Sequence, residues 1–167
     1  IVLVPPVFQD LYGVPAASRD FADNPRYFAE GGQAGVETKR GCDRACIYCA
    51  DRLAKGTRAR LRPPADVADE VEDLLAQGVD VLHLCDAEFN IPGRHAIDVC
   101  DEPIRRNLGQ RVRWYAYLAV LPFDNKLARR MAAAGCVGIN FTGDSASAIM
   151  LAAYRQPHRA DDLANVV

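Results

Sequence analysis

The sequence predicts an α/β fold built on a parallel sheet. From Gly35 onward, short β-branched or aromatic runs alternate with helical ones, the pattern of βαβ units. Glycines close two of the helical runs, at Gly78 and Gly135. At about 30 residues per βα unit, the stretch from Glu37 to Val167 holds roughly four units, so a closed eight-unit barrel does not fit.

The elements follow in order. Pro5, Pro6, Pro15, Pro25 and Gly31-Gly32 break up the opening, so residues 1–34 read as a short strand, Ile1–Val4, and a connector ahead of a core at 35–167. The first core strand is Gly35-Val36-Glu37-Thr38. Its helix, Ala65 to Gln77, carries Val67, Val71, Leu74 and Leu75 on one stripe. The second strand is Val79 to Cys85, with a helix at Arg94 to Leu108 that Pro103 is expected to kink or break near Glu102. Val112 to Val120 forms the third strand and leads through Pro122 to a helix over Asp124 to Ala134. Cys136 to Thr142 is the fourth, followed by a helix at Ala148 to Tyr154 and the start of another after His158.

Composition bounds the function. With 167 residues the chain suits one domain, and half hydrophobic with a quarter charged excludes a disordered, collagen-like or coiled-coil chain. A net charge of -2 gives no global basic field for nucleic acid. No apolar run approaches the roughly 18 to 20 residues of a membrane helix. The apolar start stops at Pro5-Pro6 without the charged lead of a signal peptide, so a cytoplasmic location is expected. The chain lacks an initiator Met and ends just as a helix begins, and is read as part of a longer protein.

Three of the six cysteines stand in Cys42-Asp43-Arg44-Ala45-Cys46-Ile47-Tyr48-Cys49. Three thiolates this close, in a loop directly after a strand, can point at one centre and suit soft-metal or iron–sulfur ligation. A structural zinc site closes its tetrahedron with a fourth Cys or His at a recognisable spacing, and the next His is His83. A disulfide pair is the competing reading, disfavoured without an export signal. Cys85, Cys100 and Cys136 lie in apolar stripes and read as core, and His83 and His95 as structural.

Glu37-Thr38-Lys39-Arg40-Gly41 leading into that CxxxCxxC segment, with an aromatic before its last Cys, closely resembles the cluster loop of the radical S-adenosylmethionine (radical SAM) superfamily. The resemblance implies a partial (β/α)6 TIM-like barrel of radical SAM type, truncated here after about four βα units, with its site at the C-terminal strand ends. It implies that Cys42, Cys46 and Cys49 hold a [4Fe-4S] cluster whose open iron binds SAM. It implies reductive cleavage of SAM to a 5'-deoxyadenosyl radical that acts on a small organic substrate. An electron donor such as flavodoxin or ferredoxin is the implied protein partner. Strands five and six, and the SAM contacts they carry, are expected beyond Val167.

The remaining site candidates come from the same resemblance. Tyr48 borders the cluster ligands. Glu88 is the candidate for the methionyl amine in a degenerate Cys85-Asp86-Ala87-Glu88-Phe89-Asn90 segment, with Asp86 and Asn90 next. The bland alternative for these is loop capping. Asn140, Thr142, Asp144 and Ser145 sit where family members reach the SAM ribose, and Arg155, in Tyr154-Arg155-Gln156-Pro157-His158, where many carry an Arg for the SAM carboxylate. Their alternative role is an ordinary strand end and helix start. Trp114 is expected in the core, and Tyr115 and Tyr117 either line the barrel or pack.

Eight basic residues against two acidic ones between Lys39 and Arg62 give a local balance of +6. This run is a solvated face or a surface for an electron-donor protein or tRNA. Leu53 to Pro63 and the acidic helix after it resemble the methylthiotransferases that modify tRNA or a ribosomal protein. The Glu37–Cys42 entry, the Asp86–Asn90 segment and the Pro-rich connector look more like the cobalamin-associated radical SAM enzymes, many of which methylate unactivated carbon. That subfamily implies cobalamin bound by a domain outside this chain. A non-catalytic zinc- or cluster-binding module is the alternative from a different class.

Overall fold

A computed structural model describes residues 9–15, 18–19 and 21–166; the strand expected at Ile1–Val4 lies outside the described residues. Four parallel strands form one sheet in chain order: β1 (Ala34–Val36), β4 (Val81–Leu84), β5 (Arg113–Leu118) and β6 (Cys136–Phe141). Strand alternation sends every second side chain to one face, where Val36, Leu82, Leu84, Trp114, Ala116 and Leu118 are buried. Helices α3 (Pro64–Ala76), α4 (Gly93–Arg105) and α5 (Asn125–Ala133) cover that face with Val67, Val71, Leu74, Val99, Leu127 and Met131. The Trp114 indole N–H donates to the Ala134 carbonyl at 2.9 Å, which satisfies its polar tip within the core.

Register puts His83 beside Tyr115, and Tyr117 beside Asn140, on the opposite face. No helix among the described residues covers that face, and Tyr117 stands 44% exposed on it. Cys85 belongs to this side too: it is exposed, against the expectation of a core position, because it follows Leu84 by one residue and so faces away from the helices. Cys100 is buried and Cys136 half-buried.

The helix boundaries have local causes. Pro64 opens α3, and beyond its end Gly78 takes a φ of +81°. Asp124 caps α5, its carboxylate accepting from the Leu127 N–H at 2.8 Å. Of the kink or break expected at Pro103, the break does not occur: helix α4 runs through it to Arg105. Pro103 falls in the last turn, where its missing N–H costs a single hydrogen bond, and its ring packs into the core beside Val67 and Val71.

Four short elements carry no periodic signal in the sequence. Helix α1 (Asn24–Ala29) lies in the connector and is capped by Asp23. An antiparallel pair, β2 (Lys39–Arg40) with β3 (Arg60–Leu61), closes the base of the cysteine loop, and α2 (Asp51–Ala54) lies inside that loop. Helices α6 (Ala148–Tyr154) and α7 (Ala160–Val166) follow β6. No helix is long and apolar enough to cross a membrane among the described residues.

Candidate active site

The cysteine loop is held at its stem. Gly41 sits at φ +107°, and a side-chain carbon there would run into the Arg58 carbonyl, so only glycine fits this turn. Cys42 N–H donates to the Gly56 carbonyl at 3.0 Å, a further bond across the mouth of the loop. Beneath the stem lies Asp86, 3% exposed. Its carboxylate accepts from the Thr38 N–H (2.8 Å), the Thr38 hydroxyl (2.5 Å), the Lys39 N–H (3.2 Å) and the Lys39 ammonium (2.8 Å). Four donors compensate a buried charge, and through them β4 fixes where the loop leaves the sheet.

Above the stem, Cys42, Cys46, Cys49, Tyr48, Glu88, Thr142 and Asp144 line one cavity of about 210 Å³, together with Arg44 and Arg52. Three strand ends therefore meet there: β1 through the loop, β4 through Glu88, and β6 through Thr142 and Asp144. Among the described residues, no three His, Cys, Asp or Glu side chains are gathered in a set suited to a single metal ion. The thiols instead share the wall of a larger space.

Glu88 is a perturbed carboxyl of the cavity. Thr142 Oγ donates to its Oε1 at 2.9 Å, while Oε2 is buried with no partner. Burial pushes the carboxyl up to about 7; the Thr142 bond and the Arg44 charge oppose this, and Asp144 adds to it. Burial also raises the Cys42 thiol, with Glu88 and Asp43 nearby. The Tyr48 phenol is raised by burial and then by its hydrogen bond to Asp144. The Cys49 sulfur accepts from the Asp51 N–H at 3.4 Å.

The structure separates the other expected residues from this cavity. Asp86 is the buttress just described, not a cavity group. Asn90 is fully buried, bonding the carbonyls of Ala119 and Pro122 and the Ala119 N–H with both ends of its amide. Asn140 lies on the helix-free face beside Tyr117. Ser145 Oγ accepts from the Ser147 N–H at 3.0 Å ahead of α6, and Arg155 is exposed at the end of that helix. The structure adds Gln156, whose Nε2 donates to the Cys46 sulfur at 3.3 Å and the Tyr48 hydroxyl at 2.9 Å. Nothing in the sequence ties it to a loop 110 residues away. Arg44 was visible within the loop as a charge between two cysteines; its guanidinium donates to the Leu121 carbonyl at 3.2 Å.

Most of the basic run is engaged by the protein's own acceptors, in buried pairs for Lys39 and Arg62 and nearer the surface for Arg40 and Lys55. Lys39 pairs with Asp86, Arg40 with Glu37, Lys55 with Asp51 and Arg62 with Glu70, and Arg60 donates to the Lys55 carbonyl.

Residues 36–167 match the Radical SAM superfamily. The chain is 38% identical over 135 residues to tryptophan 2-C-methyltransferase of Streptomyces laurentii, covering 77% of this chain and 22% of that protein. It also resembles the radical SAM methyltransferase TsrM of Kitasatospora setae at 34% identity. The TsrM structure with cobalamin and a [4Fe-4S] cluster gives a TM-score of 0.81, over 94% of this chain and 31% of TsrM. The structure with tryptophan substrate and the SAM analogue aza-SAM gives 0.82, over 96% and 31%. The chain thus spans less than a third of the length of these relatives.

Proposed function

This chain belongs to the radical SAM superfamily, and from that premise we propose that it is the cluster- and SAM-binding part of a cobalamin-dependent radical SAM methyltransferase acting on a small organic substrate. The observation that carries the reading is the meeting of three thiols and one half-satisfied carboxylate in a single cavity. The donor set fits the implied groups: three soft sulfurs on one wall suit an iron–sulfur cluster, and the unpartnered Glu88 oxygen suits an ammonium. The cluster and SAM supply the electron-transfer and alkyl chemistry when bound, and cobalamin, held outside this chain, the methyl carrier.

The chain's own residues bind and orient. Cys42, Cys46 and Cys49 are the cluster ligands. Glu88, fixed through Oε1 by Thr142, offers Oε2 to the methionyl amine, in a space whose burial strengthens a charge pair. Asp144 and Thr142 at the end of β6 are the polar groups of the lining that would serve the SAM ribose, and Tyr48 closes the side of the cavity between Asp144 and Gln156. His83 and Tyr117 meet edge to face at 5.2 Å on the helix-free side, a ring-bearing surface suited to a flat aromatic substrate. Tryptophan in the TsrM structure is of that kind. The pairing of most of the basic run with acceptors of the protein itself favours such a small molecule over tRNA.

The test is anaerobic reconstitution with iron and sulfide, on the parent protein and on Cys42→Ala, Cys46→Ala and Cys49→Ala. Iron and sulfide in equal amounts on the parent, lost in each variant, is the expected outcome. Zinc bound without sulfide would overturn the reading and leave a structural metal site.

A further inference from the structure

Helix α6 ends in an unusual way. Its last helical residue is Tyr154, and Arg155, which is not glycine, takes the left-handed conformation with φ 61° and ψ 38°. A residue with a side chain is disfavoured there, and such a turn persists where its surroundings over-determine it. The surroundings are visible. Leu151 is buried at 2% exposure, the Gln156 N–H returns to its carbonyl at 2.9 Å, and the buried His158 ring nitrogen lies 3.1 Å from the Gly143 carbonyl. The reversal at Arg155 turns the side chains on either side of it onto the cysteine loop. Tyr154 meets the Tyr48 ring edge to face at 5.2 Å, and the two N–H groups of the Gln156 amide go to the Cys46 sulfur and the Tyr48 hydroxyl.

A primary amide nitrogen is a donor only. A donor to a cluster thiolate favours the state with more negative charge on sulfur, which is the reduced one, and hydrogen bonds to the sulfurs are a main determinant of cluster potentials. We infer that Gln156 is a positioning residue for the iron–sulfur centre: its N–H on the Cys46 sulfur stabilises the reduced cluster, and with Tyr154 on Tyr48 it fastens the turn between α6 and α7 to the cysteine loop. The inference rests on the cluster reading above and assigns a role to a residue outside the cysteine motif. It also links the loop after β1 to the element after β6, so that displacement of the turn changes the hydrogen bonding of one cluster ligand.

The experiment is a redox titration of the reconstituted protein, followed by electron paramagnetic resonance, on the parent, Gln156→Leu, Gln156→Glu and Tyr48→Phe. Gln156→Leu removes the donor, and Gln156→Glu keeps the length of the side chain but cannot donate as a carboxylate. Both are expected to hold iron and sulfide like the parent while the ratio of reduced to oxidised cluster at the parent's midpoint falls about tenfold, which is about 59 mV for one electron. Tyr48→Phe retains the Gln156–Cys46 bond and should shift the ratio far less. Should Gln156→Leu lose its cluster, Gln156→Glu carries the same test. A parent without iron and sulfide overturns the cluster reading itself. A cluster-bearing parent whose Gln156 variants titrate at the parent's potential overturns the role of Gln156 alone.

Discussion

Glu88 and Asp86 are two carboxylates two residues apart with opposite circumstances. Asp86 accepts from four donor groups, while Glu88 has one oxygen bonded to Thr142 and the other buried without a partner. Burial holds the Glu88 proton up to about pH 7, and only the ionised form pairs with an ammonium. The sign follows: amine affinity rises with pH through that value. SAM affinity, measured by calorimetry, should increase about tenfold between roughly pH 6 and roughly pH 8 in the parent, and Glu88→Gln should bind weakly with no such rise. A flat profile in the parent would remove the amine contact. The sequence placed Asp86, Glu88 and Asn90 together after a strand end, but which of the three faces the cavity depends on where Thr38, Lys39, Ala119 and Pro122 come to rest around them.

At the scale of elements, the cysteine loop is rigid at its stem because three parts of the chain converge there: the β2–β3 pair, Gly41 against Arg58, and Asp86 from the end of β4. Asp86→Ala leaves the Lys39 ammonium buried and unpaired. It should lower stability by about 3 to 5 kcal/mol in denaturant unfolding and also reduce the iron retained on reconstitution. Unchanged stability would show that the pair is not the buttress. The cysteine spacing announced the loop itself, whereas its stem was illegible, since two-residue strands have no period to read. The helix at Gly93–Arg105 illustrates the converse. Pro103 forecast a kink or a break from local chemistry alone, and a position in the last turn, where little of the helix remains to be broken, let the helix run through it.

For the whole molecule, the sheet has helices on one face and, among the described residues, a ring-bearing face without helices on the other, with the cavity at the strand ends. Stability and chemistry are therefore separable by face. Leu82, 1% exposed in the sheet centre, belongs to the helix-covered side. Leu82→Ala should cost about 2 to 5 kcal/mol of unfolding free energy while leaving cluster content at a permissive temperature near the parent's. His83→Ala, one residue along on the other face, should do the reverse of this in kind, leaving stability within about 0.5 kcal/mol and weakening substrate binding. Loss of stability in His83→Ala with substrate affinity intact would show that this face is packing surface.

The sequence by itself determined the parallel α/β fold, the order of its four main βα units, the CxxxCxxC spacing of three cysteines and the family. Each of these is written in a local pattern: a period, a stop residue, or a spacing within eight residues. Tertiary structure alone decided that Asp86 and Asn90 are internal supports, that Glu88 is left half-satisfied, that Cys85 faces the open side, and that Gln156 reaches Cys46. Those outcomes turn on which side chains meet across tens of residues, and a hydrogen bond between distant segments leaves no periodic trace in either one.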